Sequence, residues 1–337
     1  MRRIGYGLLL LLLAGCGTHQ QSVTNSAGTQ AARIEILWWW MLGILTTIFV
    51  IVVGFVLGAV SRRRGGSEQM PEAQVIDSAR DRRLSRVILV LVIMVILFEF
   101  GFLVASAIVT KYERGMSSKN PIEIQVIGHR WWWEFRYASS QPSEVVVTAN
   151  ELHLPTGVPI LIKASSADVI HSFWVPNIAG KRDLIRPYQT SMWLQVDEEG
   201  VFRGQCAEFC GHQHAHMAFY VVAEPMNRFQ AWLQAQKAPA KEPLEHKARQ
   251  GRDVFMKSPC VTCHTIRGTD AGSRVGPDLT HVASRSFIAA GTLPNTRSNL
   301  MQWIRDSQSV KPGNLMPSMD LETSELESLV AYMQSLK

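Results

Sequence analysis

The sequence predicts a multidomain chain: a two-helix transmembrane hairpin, a Greek-key β sandwich and an all-α domain, in that order. Three observations predict it. Residues 37–60 carry no charge and residues 87–109 carry one, so each run is long enough to span a hydrocarbon core of about 30 Å. From Ile122 the apolar pattern breaks into short β-rich runs punctuated by Pro, Gly, Asn and Asp. Past residue 246, apolar residues return at helical spacing around one Cys-x-x-Cys-His motif.

Composition narrows the class further. Only 18% of the 337 residues are charged, against about 25% in an average soluble chain, which fits a chain partly held in lipid. The formal net charge of +6 does not mark a nucleic-acid binder, because no segment concentrates it: residues 61–86 carry +3, residues 117–224 carry −3 and residues 246–337 carry +3. The two oppositely charged outer segments are expected to attract one another, modestly, since salt screens exposed charges. With 24 Gly and 15 Pro, ordinary for this length, the chain is neither collagen-like nor wholly disordered.

The N-terminus opens on Arg2 and Arg3, an apolar run at 8–13 and then Ala14-Gly15-Cys16. A positive start, a short apolar stretch and small residues before a cysteine resemble a bacterial lipoprotein signal, residues 1–16, with Cys16 as the acylated residue. The hairpin, residues 37–110, follows. Its loop holds Arg62, Arg63, Arg64, Arg80, Arg82, Arg83 and Arg86, an excess that keeps a short loop in the cytoplasm. Both hairpin ends therefore point outward, and everything after residue 109 lies on the periplasmic side of a bacterial inner membrane. Trp38, Trp39 and Trp40 suit the outer interface. Glu99 sits mid-helix, where an ionisable group faces protein or water, and so implies a partner subunit. A neutral, hydrogen-bonded carboxyl at a helix contact explains it better than a proton path.

Residues 117–224 read as the sandwich, with strands in IEIQVIGHRWWWEFRY, EVVVTANELHL, PILIKAS, SMWLQV and AFYVVAE. Its chemistry is in one loop, Cys206-Ala207-Glu208-Phe209-Cys210-Gly211-His212-Gln213-His214-Ala215-His216-Met217. Three readings fit those residue types. Two exported cysteines can form a disulfide; two thiolates with two imidazoles suit tetrahedral zinc; and thiolate, imidazole and thioether together favour copper, for which methionine is a weak axial donor.

The spacing C-x-E-x-C-x-x-x-H-x-x-M, preceded by Asp168-Val169-Ile170-His171-Ser172 with Trp174 and Pro176, resembles subunit II of haem-copper cytochrome c oxidases. The resemblance implies a cupredoxin-like fold and a dinuclear copper centre, CuA. Cys206 and Cys210 would bridge the metals, His171 and His214 would bind one each, and Met217 and the Glu208 carbonyl would complete the shells. It also implies that the Glu208 carboxylate reaches a magnesium ion at the interface with subunit I, a hard oxygen ligand for a hard cation. His212 and His216 match no ligand position and are expected to face solvent. Gly128-His129-Arg130-Trp131-Trp132-Trp133 resembles the aromatic stretch where electrons are received, which makes Trp131 the candidate; strand alternation would set Trp131 and Trp133 on one face. Two features depart from the family. Arg186-Pro187-Tyr188 stands where a Pro-Gly-Arg turn is usual, and Asp77 and Asp81 stand where a glutamate marks a proton-channel mouth, so the proton role is not carried over.

Residues 225–245 read as a linker with a short helix at 228–236. In residues 246–337, Cys260-Val261-Thr262-Cys263-His264 reads as covalent c-type haem attachment, with His264 as the proximal ligand and a thioredoxin-like site as the competing reading. A helix at 251–255, Gly276-Pro277-Asp278-Leu279 and a closing helix from Ser324, capped with Glu327, resemble a class I cytochrome c. Met316 in Asn314-Leu315-Met316-Pro317 is then the sixth ligand, with Met319 as alternative; Met333 belongs to the apolar stripe. A Met/His pair raises the haem potential, as a relay requires.

The resemblance implies an electron-transfer subunit that takes electrons from an external donor, such as a cytochrome or an upstream complex, onto haem c, then CuA, then the haem of subunit I. Subunit III is a further expected neighbour. No residue is read as a general base or nucleophile. A CuA-containing nitric-oxide reductase subunit and a membrane-tethered copper-binding or copper-delivery protein are the alternatives; the fused haem motif disfavours both, and the copper ligands disfavour a quinol oxidase.

Overall fold

The computed structural model describes residues 20–63, 78–115 and 121–337. Cys16, Arg64 and Asp77 lie outside the described residues. Two long helices come first, α1 (Thr29–Arg63) and α2 (Ser78–Gly115). Both continue past the apolar runs, because Arg33 and Glu35 at one end and Arg80 to Arg86 at the other are still helix formers. Arg33 lies over the Tyr112 ring, 4.6 Å from its centroid, so the start of α1 meets the end of α2 as in an antiparallel pair. Both helices are apolar and long enough to cross a membrane, and Glu99 is exposed within the chain.

The second unit begins with an antiparallel pair, β1 (Ile122–His129) and β2 (Trp132–Tyr137), followed by β3 (Val146–Ala149) and β4 (Glu151–Pro155). Next come β5 (Ile160–Ser166), β6 (His171–Trp174), β7 (Arg182–Leu184), β8 (Thr190–Leu194), β9 (Gly200–Cys206) and β10 (Ala218–Glu224). They form two five-stranded sheets, β3-β2-β1-β5-β8 and β4-β10-β9-β6-β7. Alternation explains the inner face: Ile124 and Val126 on β1, and Ile160, Ile162 and Ala164 on β5, are buried. They meet Phe173 and Phe219 from the opposite sheet around Trp133. The run EVVVTANELHL is not one strand but two, one in each sheet. Asn150 breaks it by taking φ 61°, and its side-chain oxygen accepts from the Trp133 backbone N–H at 2.9 Å.

Residues 20–31 lie on this sandwich. The Asn177 side chain holds them by donating to Ser22 and Asn25 carbonyls and accepting from the Gln21 backbone N–H. At Gly28 a Cβ would lie 2.5 Å from the Ile178 carbonyl oxygen, so only glycine allows that approach.

The stretch read as a linker folds as α3 (Met226–Lys237), which buries Phe229 in the sandwich core and stacks Trp232 on His153 at 4.0 Å. The haem-motif domain follows: α4 (His246–Lys257), the short β11 (Phe287–Ile288) and β12 (Leu293–Pro294), then α5 (Arg297–Arg305), α6 (Ser307–Val310) and α7 (Thr323–Ser335). The last helix is capped two residues earlier than expected, by Glu322 with Glu325 in place of Ser324 with Glu327. The Glu325 carboxylate accepts from the Glu322 backbone N–H at 3.3 Å.

The first and last helices of this domain cross at Gly251, where a Cβ would sit 1.8 Å from the Ser328 carbonyl oxygen. Gly251→Ala should therefore part α4 from α7. Overpacking of this kind costs about 1–3 kcal/mol. A lower denaturation midpoint for the haem-motif domain, followed by hydrogen exchange in α7, is the expected result.

Candidate metal centres

The thiolate loop is an enlarged hairpin between adjacent strands β9 and β10. Its neck is closed where the Cys206 backbone N–H donates to the Met217 carbonyl at 2.9 Å, a carbonyl that also accepts from the Trp133 indole at 3.3 Å. On the other side β6 runs antiparallel to β9, with Phe173 opposite Cys206, and the Ala207 N–H donates to the Ser172 carbonyl at 3.0 Å. Strand register thus carries His171, Cys206 and Met217 to one end of one sheet. Among the described residues, His171, Cys206 and Cys210 are the only group of three such ligand types whose donor atoms lie within 4.8 Å of one another.

Further donors surround that group. His171 Nδ1 is 3.8 Å from Cys206 Sγ, His214 Nδ1 is 3.6 Å from Cys210 Sγ, and Met217 Sδ is 3.7 Å from Cys210 Sγ. The Glu208 carbonyl oxygen stands 3.1 Å from Cys206 Sγ, while its carboxylate turns out toward Lys181 at 3.9 Å. Both cysteines are free and buried, as are His171 and Met217; His212 and His216 are exposed. The donor set fits soft metal ions: two thiols, two imidazoles, a thioether and a carbonyl converge on a nearly dry space. The thiol of Cys210 hydrogen-bonds Cys206, and that bond together with His171 lowers the Cys206 pKa against its burial; the same pairing pushes Cys210 up. The pairing favours the thiolate at Cys206 over one at Cys210.

Asp168 orients the first imidazole. Its Oδ1 lies 2.8 Å from His171 Nε2, which turns Nδ1 toward the thiols. The carboxylate is itself held by the Val169 and Arg130 backbone N–H groups, at 2.7 Å each. Burial lowers the pKa of His171, but Asp168 and Cys206 outweigh it and the net shift is upward. At Gly128 a Cβ would lie 2.8 Å from the His171 ring, so the imidazole packs directly on β1 backbone.

Trp131 is not on a strand. Arg130 and Trp131 form the turn between β1 and β2, so the expected alternation with Trp133 fails: Trp133 is fully buried in the core, and Trp131 lies over the loop, its indole donating to the Cys210 carbonyl at 2.8 Å.

The second candidate centre is an apolar cavity of about 270 Å³ in the C-terminal domain. Cys260, Cys263, His264, Met316 and Met319 line it, among Phe255, Leu300, Ile304 and Leu329. Met333 lines it as well as filling the core. Cys260 and Cys263 are free, and the His264 Nδ1–H donates to the Pro277 carbonyl at 2.8 Å. Since a carbonyl cannot donate, Nδ1 carries the hydrogen and Nε2 is left as a donor atom for a metal. Burial lowers the His264 pKa, which favours the neutral ring. Free thiols, a fixed imidazole and methionines around apolar walls fit a covalent haem. The cavity wall also includes Trp131, Trp132 and Asn150 from the sandwich.

Residues 139–224 match the family of cytochrome c oxidase subunit II periplasmic domains, and residues 248–337 match the cytochrome c family. Over its whole length the chain is 34% identical to cytochrome c oxidase subunit 2 of Alkalihalophilus pseudofirmus, covering 97% of that protein. The chain belongs to the cytochrome c oxidase subunit 2 family. The same protein of Bacillus sp. strain PS3 is 33% identical over 98% of this chain and 96% of its own length. Quinol oxidase subunit 2 of Bacillus cereus is 29% identical over 71% of this chain and 80% of its own. As a cytochrome c oxidase subunit 2 with a fused cytochrome c domain, the chain is part of an oxidase, is anchored by two membrane helices, and associates with other oxidase subunits. Its two domain families imply copper and haem c, and the His171, Cys206 and Cys210 cluster is consistent with CuA. The copper-delivery reading is set aside.

Sequence reasoning quoted Asp168 and Gly128 only as parts of motifs and assigned no role to them or to Lys311. Asp168 had a signal, an acid three residues before a candidate ligand; Lys311 had none, and yet it is buried. Its Nζ donates to the Trp131 and His216 carbonyls, and burial pulls it down to about 7 against the attraction of Cys210.

In the metal-free chain, protonated His171 stabilises the fold below the unfolded value of about 6.5, and this contribution is lost as pH rises through its higher folded value. Asp168→Asn should lower the His171 pKa in an NMR titration and weaken that pH-dependent stability, leaving the part due to Cys206. Copper affinity should fall roughly 10- to 100-fold, as for other outer partners of a ligating histidine.

Proposed function

We propose that this subunit takes electrons from an external donor onto a covalent haem c, passes them to dinuclear CuA and delivers them to the haem of subunit I, where oxygen is reduced to water. The observation that carries this reading is the convergence of Cys206, Cys210, His171, His214, Met217 and the Glu208 carbonyl at one end of the sandwich, in the same compact unit as the Cys260-Cys263-His264 cavity. Copper there and haem in the cavity supply one-electron couples.

The chain's own residues account for the rest. Cys206, Cys210, His171 and His214 would hold the coppers, and Asp168 fixes the tautomer of His171. Trp131 and Trp133 cover the loop and exclude water; Trp131 is also the candidate for receiving electrons, since it lines the haem cavity and bonds the Cys210 carbonyl. Cys260 and Cys263 would attach the haem covalently, and His264 and Met316 would hold its iron. The Met316 loop is held by Ser307 Oγ and Gln308 Nε2, both donating to the Met316 carbonyl, at 2.6 and 2.9 Å. The Glu208 carboxylate, outside the thiol cluster, would offer one oxygen to magnesium at the subunit I interface. The domain limits above, an acylated Cys16, the inner-membrane orientation set by the Arg loop and contact with subunit III complete the proposal.

The test is to mature the full chain with haem, load copper and record spectra. A low-spin c-type haem and a mixed-valence signal from two coppers sharing one electron are expected. A single-copper signal, or a Cys206–Cys210 disulfide without copper uptake, would sink the CuA assignment. Met316→Ala should keep the haem attached and lose the methionine-ligated spectrum; survival of that spectrum transfers the role to Met319.

A further inference from the structure

Lys311 is 2% exposed, and its ammonium is among the most deeply placed charges of the C-terminal domain. Its Nζ lies 2.9 Å from the Trp131 carbonyl, 2.9 Å from the His216 carbonyl and 3.3 Å from the Ala289 carbonyl. In the protonated lysine three donors thus meet three acceptors. The acceptors come from three places: the turn between β1 and β2, the thiolate loop and the C-terminal domain itself. Lys311 makes no ion pair within 4 Å among the described residues, and its hydrogen bonds all go to backbone carbonyls.

The same short segment reaches the haem cavity. The Lys311 carbonyl accepts from Asn314 Nδ2 at 2.7 Å, and Asn314 Oδ1 accepts from the Met316 backbone N–H at 2.8 Å. One residue on, the Pro312 carbonyl accepts from Gln213 Nε2 at 2.8 Å, a second bond to the thiolate loop. A continuous hydrogen-bonded chain therefore runs from the loop that holds Cys210 to the loop that holds Met316. Two of the lysine's three partners vanish if the domains separate, and an ammonium left in that place would be costly unless water reached it.

We propose that Lys311 is a positioning residue: its ammonium locks the cytochrome domain onto the thiolate loop in one register, so that the Met316 and Cys210 loops keep a fixed relation during internal electron transfer. This rests on the electron-transfer reading above. Charge attraction alone would not give one register, because exposed charges act over several ångströms without direction; three convergent carbonyls do.

The test uses the full chain in the assembled oxidase, loaded with haem and copper, with electrons injected into the haem by a photoexcited ruthenium reductant. Lys311→Met should leave both metal spectra and the injection rate unchanged. It should slow haem-to-copper transfer by about tenfold or more, as small misplacements of reacting partners do, and make that rate sensitive to salt. An unchanged, salt-independent transfer rate in Lys311→Met overturns the proposal. A second measurement needs no variant: acylation of the unaltered protein, read by mass spectrometry, should modify exposed Lys241 and Lys257 and spare Lys311 until the protein is unfolded. Modification of Lys311 at the rate of those two also overturns it. Absence of the two-copper signal from the unaltered protein overturns the electron-transfer reading and this proposal with it, whereas a normal signal with an unchanged variant rate removes the Lys311 role alone.

Discussion

The copper end of the sandwich depends on the pairing of β9 with β10. The bond from the Cys206 N–H to the Met217 carbonyl sets the two ends of the loop opposite each other, and the ladder behind it leaves no freedom to slip. A shift of one residue would turn Cys206 to the other face. The ladder is kept in register by a close fit: Gly204 on β9 lies under Phe219 of β10, where a Cβ would come within 2.2 Å of the ring. β6 then takes its place from β9, so His171 arrives by the same constraint as the thiols. A loop tied at its neck and roofed by Trp131 changes shape little, and small rearrangement is what a one-electron relay needs of its ligands.

The five β-rich runs and both membrane runs were legible in the sequence because each buries one face or lies in lipid, and such burial leaves a periodic signal. β9 was not, since VFRGQC mixes Arg, Gly and Gln and its Gly204 reads as a break rather than as room for Phe219. β6 and β7 are too short to show alternation. The loop donors were legible because six chemically unusual residues lie within one stretch of sequence. His171 was reached through the family resemblance, as its distance along the chain carries no information about its distance in space. Lys311 left no trace at all: a lysine in a polar stretch reads as solvated, and only tertiary contacts bury it. Trp131 shows the opposite error, in which a strand period was extended through a two-residue turn and assigned the ring to the wrong face.

The opposite net charges of the two outer segments suggested an electrostatic attachment. Among the described residues no ion pair within 4 Å joins the sandwich to the cytochrome domain. The contact is made instead by the Ala218 N–H to the Ala290 carbonyl at 3.1 Å, the Ser286 N–H to the Glu151 carboxylate at 2.9 Å, and Tyr220 stacked on Phe287 at 4.0 Å, together with Lys311. Gly291, at φ 75°, lets the backbone of the cytochrome domain approach Ala218 and Tyr220 closely.

Energetics explain why such an interface specifies more than it stabilises. A hydrogen bond to a charged group contributes about 1.5–3 kcal/mol, so three at Lys311 offer several kcal/mol. Removing an ammonium from water costs an effective several kcal/mol per ion. The two nearly cancel, and an apolar side chain at this position would hold the domains together at least as well. What the lysine adds is direction, because the balance turns unfavourable as soon as one carbonyl moves out of reach. Surface ion pairs contribute about 0–1 kcal/mol and weaken with salt, so they would let the cytochrome domain wander over the sandwich. An interface of backbone carbonyls, one buried ammonium and one stacked ring instead keeps the haem cavity against the Trp131 turn, whose indole already touches the copper loop.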